Sequence, residues 1–151
     1  MKNEMELRFL AVPQNESFAR VAVAAFAVQL NPTLPEMADI KTAVSEAVTN
    51  AIVHAYQPDA RGEVELHAGF DDRRVLTLTV RDTGCGIADV PRAMQPFYST
   101  GDEQERSGMG FCVMQTFMDH VEVRSAVGQG TTVTMRKYIE GSVLLKQGKL
   151  G

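Results

Sequence analysis

The chain has 151 residues, of which 44% are hydrophobic and 23% charged, and its formal net charge is −4. This length suits one domain with a substantial core, and the scattered lysines and arginines lack the clustering that direct nucleic-acid binding requires. The longest apolar run, residues 21–28, is too short to span a membrane and no signal sequence opens the chain, so we expect a cytoplasmic protein with no membrane partner.

The first thirty residues predict a strand followed by a helix. Residues 5–12 alternate in hydrophobicity and end at Pro13, as is typical of a strand. Asn15 can cap a helix that runs from Glu16 to about Leu30, with Arg20 on its exposed side. The apolar side predicted to be buried consists of Phe18, Val21, Ala22, Ala25, Phe26 and Leu30.

A second helix carries the most informative residues of the chain. It begins with a capping box formed by Thr33 and Glu36. Glu46, Asn50 and His54 are spaced four residues apart, so they form a slowly drifting row at the border of the apolar face. Such a row either lines a cleft or is an ordinary solvated helix face. The apolar face consists of Ile40, Ala43, Val44, Ala47, Val48, Ala51, Ile52 and Ala55.

The rest of the chain predicts two hairpins, with a long loop and a third helix between them. Residues 88–107 have no clear periodicity, which is typical of a lid or a disordered segment. The third helix begins at Gly108-Met109-Gly110 and buries phenylalanines and methionines. The predicted strands are 63–70, 75–81, 121–123 and 131–138.

The order of these elements, β-α-α-β-β-loop-α-β-β, predicts an α+β fold. With strands outnumbering crossovers, we expect a two-layer sandwich of a mixed, mostly antiparallel sheet with helices on one face. Residues 1–140 are predicted to form one domain, and the Gly- and Lys-rich residues 141–151 a flexible tail.

Two glycine-rich segments permit ligand binding, although neither matches a P-loop or the dinucleotide fingerprint. Gly108-Met109-Gly110 exposes backbone N–H groups at a helix start, which suits a phosphate or is simply a turn. Asp82 ends a strand and precedes Gly84 and Gly86. A carboxylate there can accept a hydrogen bond from the amino group of an adenine, or it can cap its own turn.

In combination these motifs resemble the GHKL ATPases, which have the Bergerat fold. The N box of that family matches Glu46 to His54, the first glycine box matches Asp82 to Ile87, and the second matches Gly108 to Phe111. The resemblance covers almost the whole chain. Further matched segments at 3–5, 15–20, 45–51, 96–97 and 105–111 resemble one subgroup, the anti-sigma serine kinases of spore-forming bacteria.

This resemblance implies ATP and Mg²⁺ as ligands. Asn50 would coordinate the metal, Glu46 would act as the general base or orient the incoming serine hydroxyl, and Asp82 would hold the adenine amino group. Arg20 would face a protein partner. The nucleotide-binding residues implied are Asn50, His54, Asp82, Gly84, Gly86, Ile87, Thr100, Arg106, Ser107, Gly108, Met109, Gly110 and Thr132.

The implied function is an anti-sigma factor that binds a sporulation sigma factor as a homodimer and uses Mg-ATP to phosphorylate an anti-anti-sigma protein on serine. One alternative is a sister anti-sigma kinase of the general stress system. Another is a nucleotide-gated binding module without catalysis, since Gly101-Asp102 stands where the subgroup often has a lysine after the Ser/Thr pair of the lid. A further alternative is the ATPase domain of a histidine kinase, detached from its helical bundle. We expect this least, because nothing before Met5 in the sequence could be the helix that accepts the phosphate.

Overall fold

The computed structural model describes residues 2–55, 62–95 and 110–142, with every side chain in these ranges except that of His54. The strands are β1 Asn3–Leu10, β2 Glu63–Phe70, β3 Val75–Asp82, β4 His120–Ser125 and β5 Thr131–Tyr138. The helices are α1 Gln14–Ala27, α2 Leu34–Asn50, α3 Val90–Ala93 and α4 Gly110–Phe117. A 3₁₀ turn at Val28–Leu30 follows α1, and a π-helical turn at Ala51–Ala55 follows α2.

The five strands form one sheet in the order β1-β2-β3-β5-β4. All four strand pairings in it are antiparallel, so the expectation of a mixed sheet is wrong, whereas the α+β class with helices on one face is confirmed. The crossover from β1 to β2 contains two helices rather than one. Because α1 and α2 return the chain to the end of the sheet that it left, β2 runs antiparallel to β1.

The core lies between the sheet and a layer formed by α1, α2 and α4. Alternate residues of β2 and β3 point into it, as the strand pattern predicts, and the eight residues of the predicted apolar face of α2 are all buried. The opposite face of the sheet carries charged side chains such as Arg8, Glu65 and Arg81. Within the described ranges, no helix is long and apolar enough to cross a membrane.

Helix α1 buries only part of the predicted apolar side: Phe26 and Leu30 are buried, whereas Phe18 and Val21 are exposed. It has two apolar stripes, and the core side consists of Ala19, Val23, Phe26 and Ala27, with Leu30 beyond the helix end. Phe18, Val21 and Val28, which follow the other stripe, are between 51% and 61% exposed. Periodicity cannot distinguish two apolar stripes, and the small residues allow α1 and α2 to approach closely.

The start of α1 also differs from the prediction. The N-cap position is Pro13, and Asn15 lies inside the helix, where its side-chain amide donates to the carbonyl of Leu10 at 2.8 Å. Asn15 therefore fixes the chain reversal after β1 instead of capping the helix.

The predicted capping box of α2 is confirmed, and the Glu36 carboxylate also accepts hydrogen bonds from another segment of the chain. Glu36 accepts from the Thr33 amide at 2.9 Å, and the Glu36 amide donates to the Thr33 hydroxyl at 3.2 Å. The same carboxylate accepts from the amides of Glu140 and Gly141, just beyond β5. Ser142 donates to the carbonyl of Asn31 nearby, so hydrogen bonds extend two residues beyond the predicted domain end at residue 140.

The C-terminal end of α2 departs from regular α-helix. After Asn50 the chain continues through the π-helical turn, which contains His54, so the predicted row of Glu46, Asn50 and His54 is regular only over its first two members. A π turn holds more residues than an α turn, and it therefore shifts the directions of the positions that follow. The role predicted for the His54 side chain lies outside what is described.

Candidate functional site

A cavity of about 370 Å³ opens between α2, the end of β3 and the loop that follows β3. Its walls are mainly apolar, with Asp82, Asn50 and Thr131 among the few polar side chains. This composition is typical of a small-molecule site, where a few polar groups fix orientation. The lining residues are Ala47, Asn50, Ala51, Ala55, Val80, Asp82, Cys85, Gly86, Ile87, Ala88, Asp89, Ala93, Phe111, Val127, Thr131 and Val133.

Asp82 is the buried acidic group of this cavity and is only 7% exposed. One of its oxygens, Oδ1, accepts from the Gly84 amide at 2.9 Å and from the Thr131 amide at 3.2 Å. Burial raises the pKa of the Asp82 carboxyl, and these two backbone hydrogen bonds partly offset that rise. Because Oδ1 is occupied by the protein, Oδ2 is the oxygen that can accept from a ligand.

The glycines after Asp82 hold the loop against other parts of the chain. A Cβ on Gly84 would lie 2.1 Å from the carbonyl oxygen of Ala55, and the next amide, of Cys85, donates to that same oxygen at 2.8 Å. Gly84 is outside the lining set and packs against the end of the π-helical turn. Gly86 does line the cavity. It has a φ of +76°, and a Cβ there would lie 2.0 Å from the carbonyl oxygen of Ala126.

The hydroxyl beside Asp82 belongs to Thr131, and the prediction of Thr132 is wrong by one residue. Asp82 pairs with Thr131 across the β3–β5 ladder, and Thr132 pairs with Arg81. Since successive residues of a strand point to opposite faces, Thr132 lies on the face away from the cavity. The motif Gly130-Thr131-Thr132 does not reveal which threonine faces inward, because that depends on the register with β3.

Ser125, at the end of β4, was not predicted and connects both sides of this region. Its hydroxyl accepts from the Ile87 amide at 2.7 Å, contacts the Gly130 carbonyl at 2.8 Å and contacts the Thr131 hydroxyl at 2.8 Å. No motif in the sequence indicates this residue, since it is placed by the pairing of β4 with β5.

Asn50 lines the cavity and, together with Glu46, meets the start of α4 at Gly110; Glu46 and Gly110 themselves are outside the lining set. A Cβ on Gly110 would lie 3.3 to 3.4 Å from the Asn50 amide group and 3.4 Å from Oε2 of Glu46. The structure thus brings together three of the predicted residues, and a Cβ at Gly110 would require the Asn50 and Glu46 side chains to shift by a few tenths of an ångström. An amide oxygen and a carboxylate beside a helix start suit a magnesium–phosphate group, since Mg²⁺ prefers a few oxygen ligands and keeps its waters.

Charges on α1 act on Glu46. Partial burial raises the pKa of the Glu46 carboxyl, and the negative charge of Glu16 raises it further. Glu16 is itself paired with Arg20, with 2.7 Å between its Oε1 and Nη1 of Arg20, and the same guanidinium lies 3.4 Å from the hydroxyl of Ser45. Arg20 is thus part of the α1–α2 interface, where only solvation was expected from spacing.

The predicted residues of the loop before α4 lie outside the described ranges: Thr100, Arg106, Ser107, Gly108 and Met109. In the part of the chain that is described, no group of three or more His, Cys, Asp or Glu side chains is arranged to hold a metal ion.

The sequence matches a protein-family model over residues 9–137, and that model describes a histidine kinase-like ATPase domain. An anti-sigma F factor of Caldanaerobacter subterraneus subsp. tengcongensis is 59% identical over 137 residues, 91% of this chain and 94% of the relative. The anti-sigma F factor of Bacillus subtilis is 50% identical over 145 residues, 96% of this chain and 99% of the relative.

Solved structures show the same fold at much lower identity. The RsbU and RsbW domains of a Mycobacterium tuberculosis protein superpose with a TM-score of 0.67 at 19% identity, covering 91% of this chain and 32% of that chain. The mycobacterial sensor histidine kinase MprB superposes with a TM-score of 0.58 at 14% identity, covering 94% of this chain and all of that one.

Proposed function

Since this chain belongs to the histidine kinase-like ATPase family and, within it, to the anti-sigma F factors, we propose that it is a cytoplasmic anti-sigma factor and an ATP-dependent serine protein kinase. The resemblance inferred from the motifs is thereby confirmed. In the proposed activity the protein binds a sporulation sigma factor and phosphorylates an anti-anti-sigma protein on serine.

The observation that carries the proposal is the arrangement of polar groups in and beside one cavity. Asp82, with Oδ2 available, suits the amino group of an adenine. Asn50, which also lines the cavity, suits the phosphates together with Glu46 and Gly110 beside it. The apolar wall between them, which includes Ala51, suits a flat base. Mg²⁺ held by Asn50 would neutralise charge on the phosphates.

For the transfer itself we assign the base to Glu46. The serine oxygen of the substrate protein forms a bond to the terminal phosphorus, the bond from that phosphorus to the bridging oxygen breaks, and ADP leaves. The proton of the serine hydroxyl passes to the Glu46 carboxylate. The raised pKa of Glu46 favours this role, because a general base works best when its pKa approaches the working pH.

Two features support the proposed partners. Arg20 retains 36% side-chain exposure although it is paired with Glu16, so part of this side chain is open to a protein such as the sigma factor. The outer stripe of α1, which we define as Phe18, Val21, Ala25 and Val28, is exposed along one side of the helix and suits a homodimer contact.

A transfer assay tests the kinase. We expect wild-type protein with labelled ATP, Mg²⁺ and its anti-anti-sigma protein to place label on a serine. Glu46→Gln should lower the rate by about 10²- to 10⁴-fold, as for loss of a general base, while ATP affinity and sigma binding remain. Glu65→Gln, an exposed carboxylate on the uncovered sheet face, is the matched control and should transfer normally.

The outcomes distinguish the alternatives. Full activity in Glu46→Gln would refute the base assignment. Wild-type protein that binds ATP and the sigma factor without any transfer would instead identify a nucleotide-gated binding module.

A further inference from the structure

The hydroxyl of Ser125 makes three short contacts, and together they determine where its hydrogen points. The Ile87 amide donates to Ser125 Oγ at 2.7 Å. The carbonyl of Gly130, 2.8 Å from Ser125 Oγ, has no hydrogen and can only accept. Ser125 has one hydroxyl hydrogen, so that hydrogen is directed to Gly130.

This assignment fixes the hydroxyl of Thr131 as well. Thr131 Oγ1 lies 2.8 Å from Ser125 Oγ, and the geometry alone allows either oxygen to donate. With the Ser125 hydrogen engaged at Gly130, Thr131 must be the donor of this contact. Thr131 lines the cavity, and its hydroxyl therefore has only lone pairs to offer there.

The neighbouring carboxylate offers the same chemistry. Asp82 pairs directly with Thr131 across the ladder and lines the same cavity. Its Oδ1 already accepts two backbone hydrogen bonds, so the ionised carboxylate also presents acceptors only. This end of the cavity can satisfy a donor such as an amino group, and a carbonyl oxygen placed there would face lone pairs.

We propose that Ser125 is a specificity-determining residue for the base, which selects a 6-amino purine over a 6-oxo purine by holding the Thr131 hydroxyl as an acceptor. The proposal rests on the proposed nucleotide function of the cavity. Ser125 acts through Thr131 and the Ile87 amide, so it is a positioning residue that need not touch the nucleotide. Ser125 therefore affects the preference for one base over the other. A site whose polar groups can only accept hydrogen bonds binds a ligand poorly when that ligand leaves those buried groups unpaired.

Calorimetric titration with ATP and with inosine triphosphate tests this, since the two differ in the 6-substituent and in the hydrogen on the ring nitrogen beside it. Wild-type protein should prefer ATP. In Ser125→Ala the Thr131 hydroxyl is released and can turn its hydrogen toward a 6-oxo group, so the preference for ATP should fall by roughly tenfold, the effect of about one hydrogen bond. The ratio of the two affinities is measured on one preparation, so a general loss of stability cancels.

Two further variants separate this effect from simple loosening of the loop. Ser125→Thr keeps the hydroxyl and should retain the preference. In the double variant Ser125→Ala with Thr131→Val no hydroxyl remains to donate, so the preference for ATP should recover above that of Ser125→Ala alone. An unchanged ratio in Ser125→Ala, or equal weakening of both nucleotides, would overturn the proposal. If wild-type protein bound neither nucleotide, the proposed function of the cavity would fail instead.

Discussion

Glu46 is influenced by a residue on another helix that has no part in the proposed chemistry. Glu16 raises the pKa of the Glu46 carboxyl in addition to the effect of burial, and Arg20 holds Glu16 by an ion pair. The guanidinium therefore moderates a negative charge close to the base. A protein partner that engaged Arg20 would alter that balance, which links the proposed partner surface to the catalytic group.

Substitutions on α1 should shift the pH dependence of phosphoryl transfer. As the proposed base, Glu46 would act only when deprotonated, so we expect the wild-type rate to fall as the pH drops through its raised pKa. Glu16→Gln removes a nearby negative charge, lowers the pKa of Glu46 and should move the acid limb of the rate profile to lower pH. Arg20→Gln leaves Glu16 uncompensated and should move the limb to higher pH.

The carboxyl carbon of Glu46, followed by NMR across the same pH range, gives the same shifts without an assay. Arg8→Gln, whose partner Glu63 lies across the sheet from β1, is the control and should move neither measurement. Shifts of the same sign in Glu16→Gln and Arg20→Gln would refute the electrostatic account.

At the scale of single residues, local sequence patterns indicated which segments carry polar residues of interest, but they did not indicate which side chains face the cavity. The spacing of Glu46 and Asn50 and the strand end at Asp82 singled out residues of which Asn50 and Asp82 line one cavity and Glu46 lies beside Asn50. Thr131 was missed by one position and Ser125 entirely, because both depend on how β5 pairs with its neighbours. Register is a property of the folded sheet, and one step of register exchanges the two faces.

Among the helices, α2 is attached to the closing segment of the chain through its own cap. The Glu36 carboxylate serves the capping box and accepts from Glu140 and Gly141. Arg74 supports the same segment from the β2–β3 turn by donating to the carbonyls of Ile139 and Leu30. The start of α2, the turn and the end of β5 are thereby held as one unit.

Removing the Glu36 carboxylate should destabilise the protein in a pH-dependent way. Burial would raise its pKa, but the hydrogen bonds from Thr33, Glu140 and Gly141 outweigh that effect and lower the pKa below its usual value. A folded-state pKa below the unfolded value gives stability that is present above the unfolded pKa and is lost as pH falls through the folded one. At neutral pH, Glu36→Ala should cost about 3 kcal/mol in the free energy of unfolding by urea.

Thr33→Ala is the matched comparison, since it removes only the N-cap acceptor and should cost about 1 kcal/mol. Below the folded pKa of Glu36 the difference between the two variants should shrink. A pH-independent cost in Glu36→Ala would mean that lost packing, and not the carboxylate, explains the effect.

Prediction at the level of elements succeeded where the cause is local. The capping box and the apolar face of α2 are determined by residues within one or two turns, and both were predicted correctly. The apolar stripe of α1 that is buried was predicted only in part, because burial of one stripe depends on where α2 and the sheet pack against α1. The contact of Glu36 with Glu140 joins residues 104 positions apart, and nothing near either residue indicates it.

The whole molecule presents two different surfaces, a charged uncovered sheet face and the apolar outer stripe of α1. A stripe of this kind suits a symmetric contact, in which the same residues of two copies meet. The fold class was predictable because the number and order of strands and helices allow few arrangements. Strand directions were not fully predictable. The two helices between β1 and β2 bring the chain back to the end of the sheet that it left, and the sequence pattern does not show this.

A charge placed in the outer stripe should prevent self-association. In Val21→Glu, a side chain that is 61% exposed gains a charge that would be buried at each copy of the contact. We expect the proposed dimer to be weakened by about 2 kcal/mol, roughly thirtyfold, with unchanged unfolding of the monomer. Light scattering coupled to size-exclusion chromatography measures the mass over a dilution series.

Tyr138→Glu introduces the same charge at a 53% exposed side chain on β5 and should leave the mass unchanged. A dimer that persists in Val21→Glu would exclude the outer stripe of α1 as the contact.

The π-helical turn at Ala51–Ala55 also limits how the thermal stability of this protein can be increased. Deleting one residue there would give α2 a regular end and a more stable helix, since π geometry is rare and local. It would also draw the Ala55 carbonyl about 1.5 Å along the axis and turn it by about 100°, away from the Cys85 amide that it now accepts from. Engineering for heat resistance at this turn would therefore trade against the pocket, and stabilising substitutions are better sought on the uncovered face of the sheet.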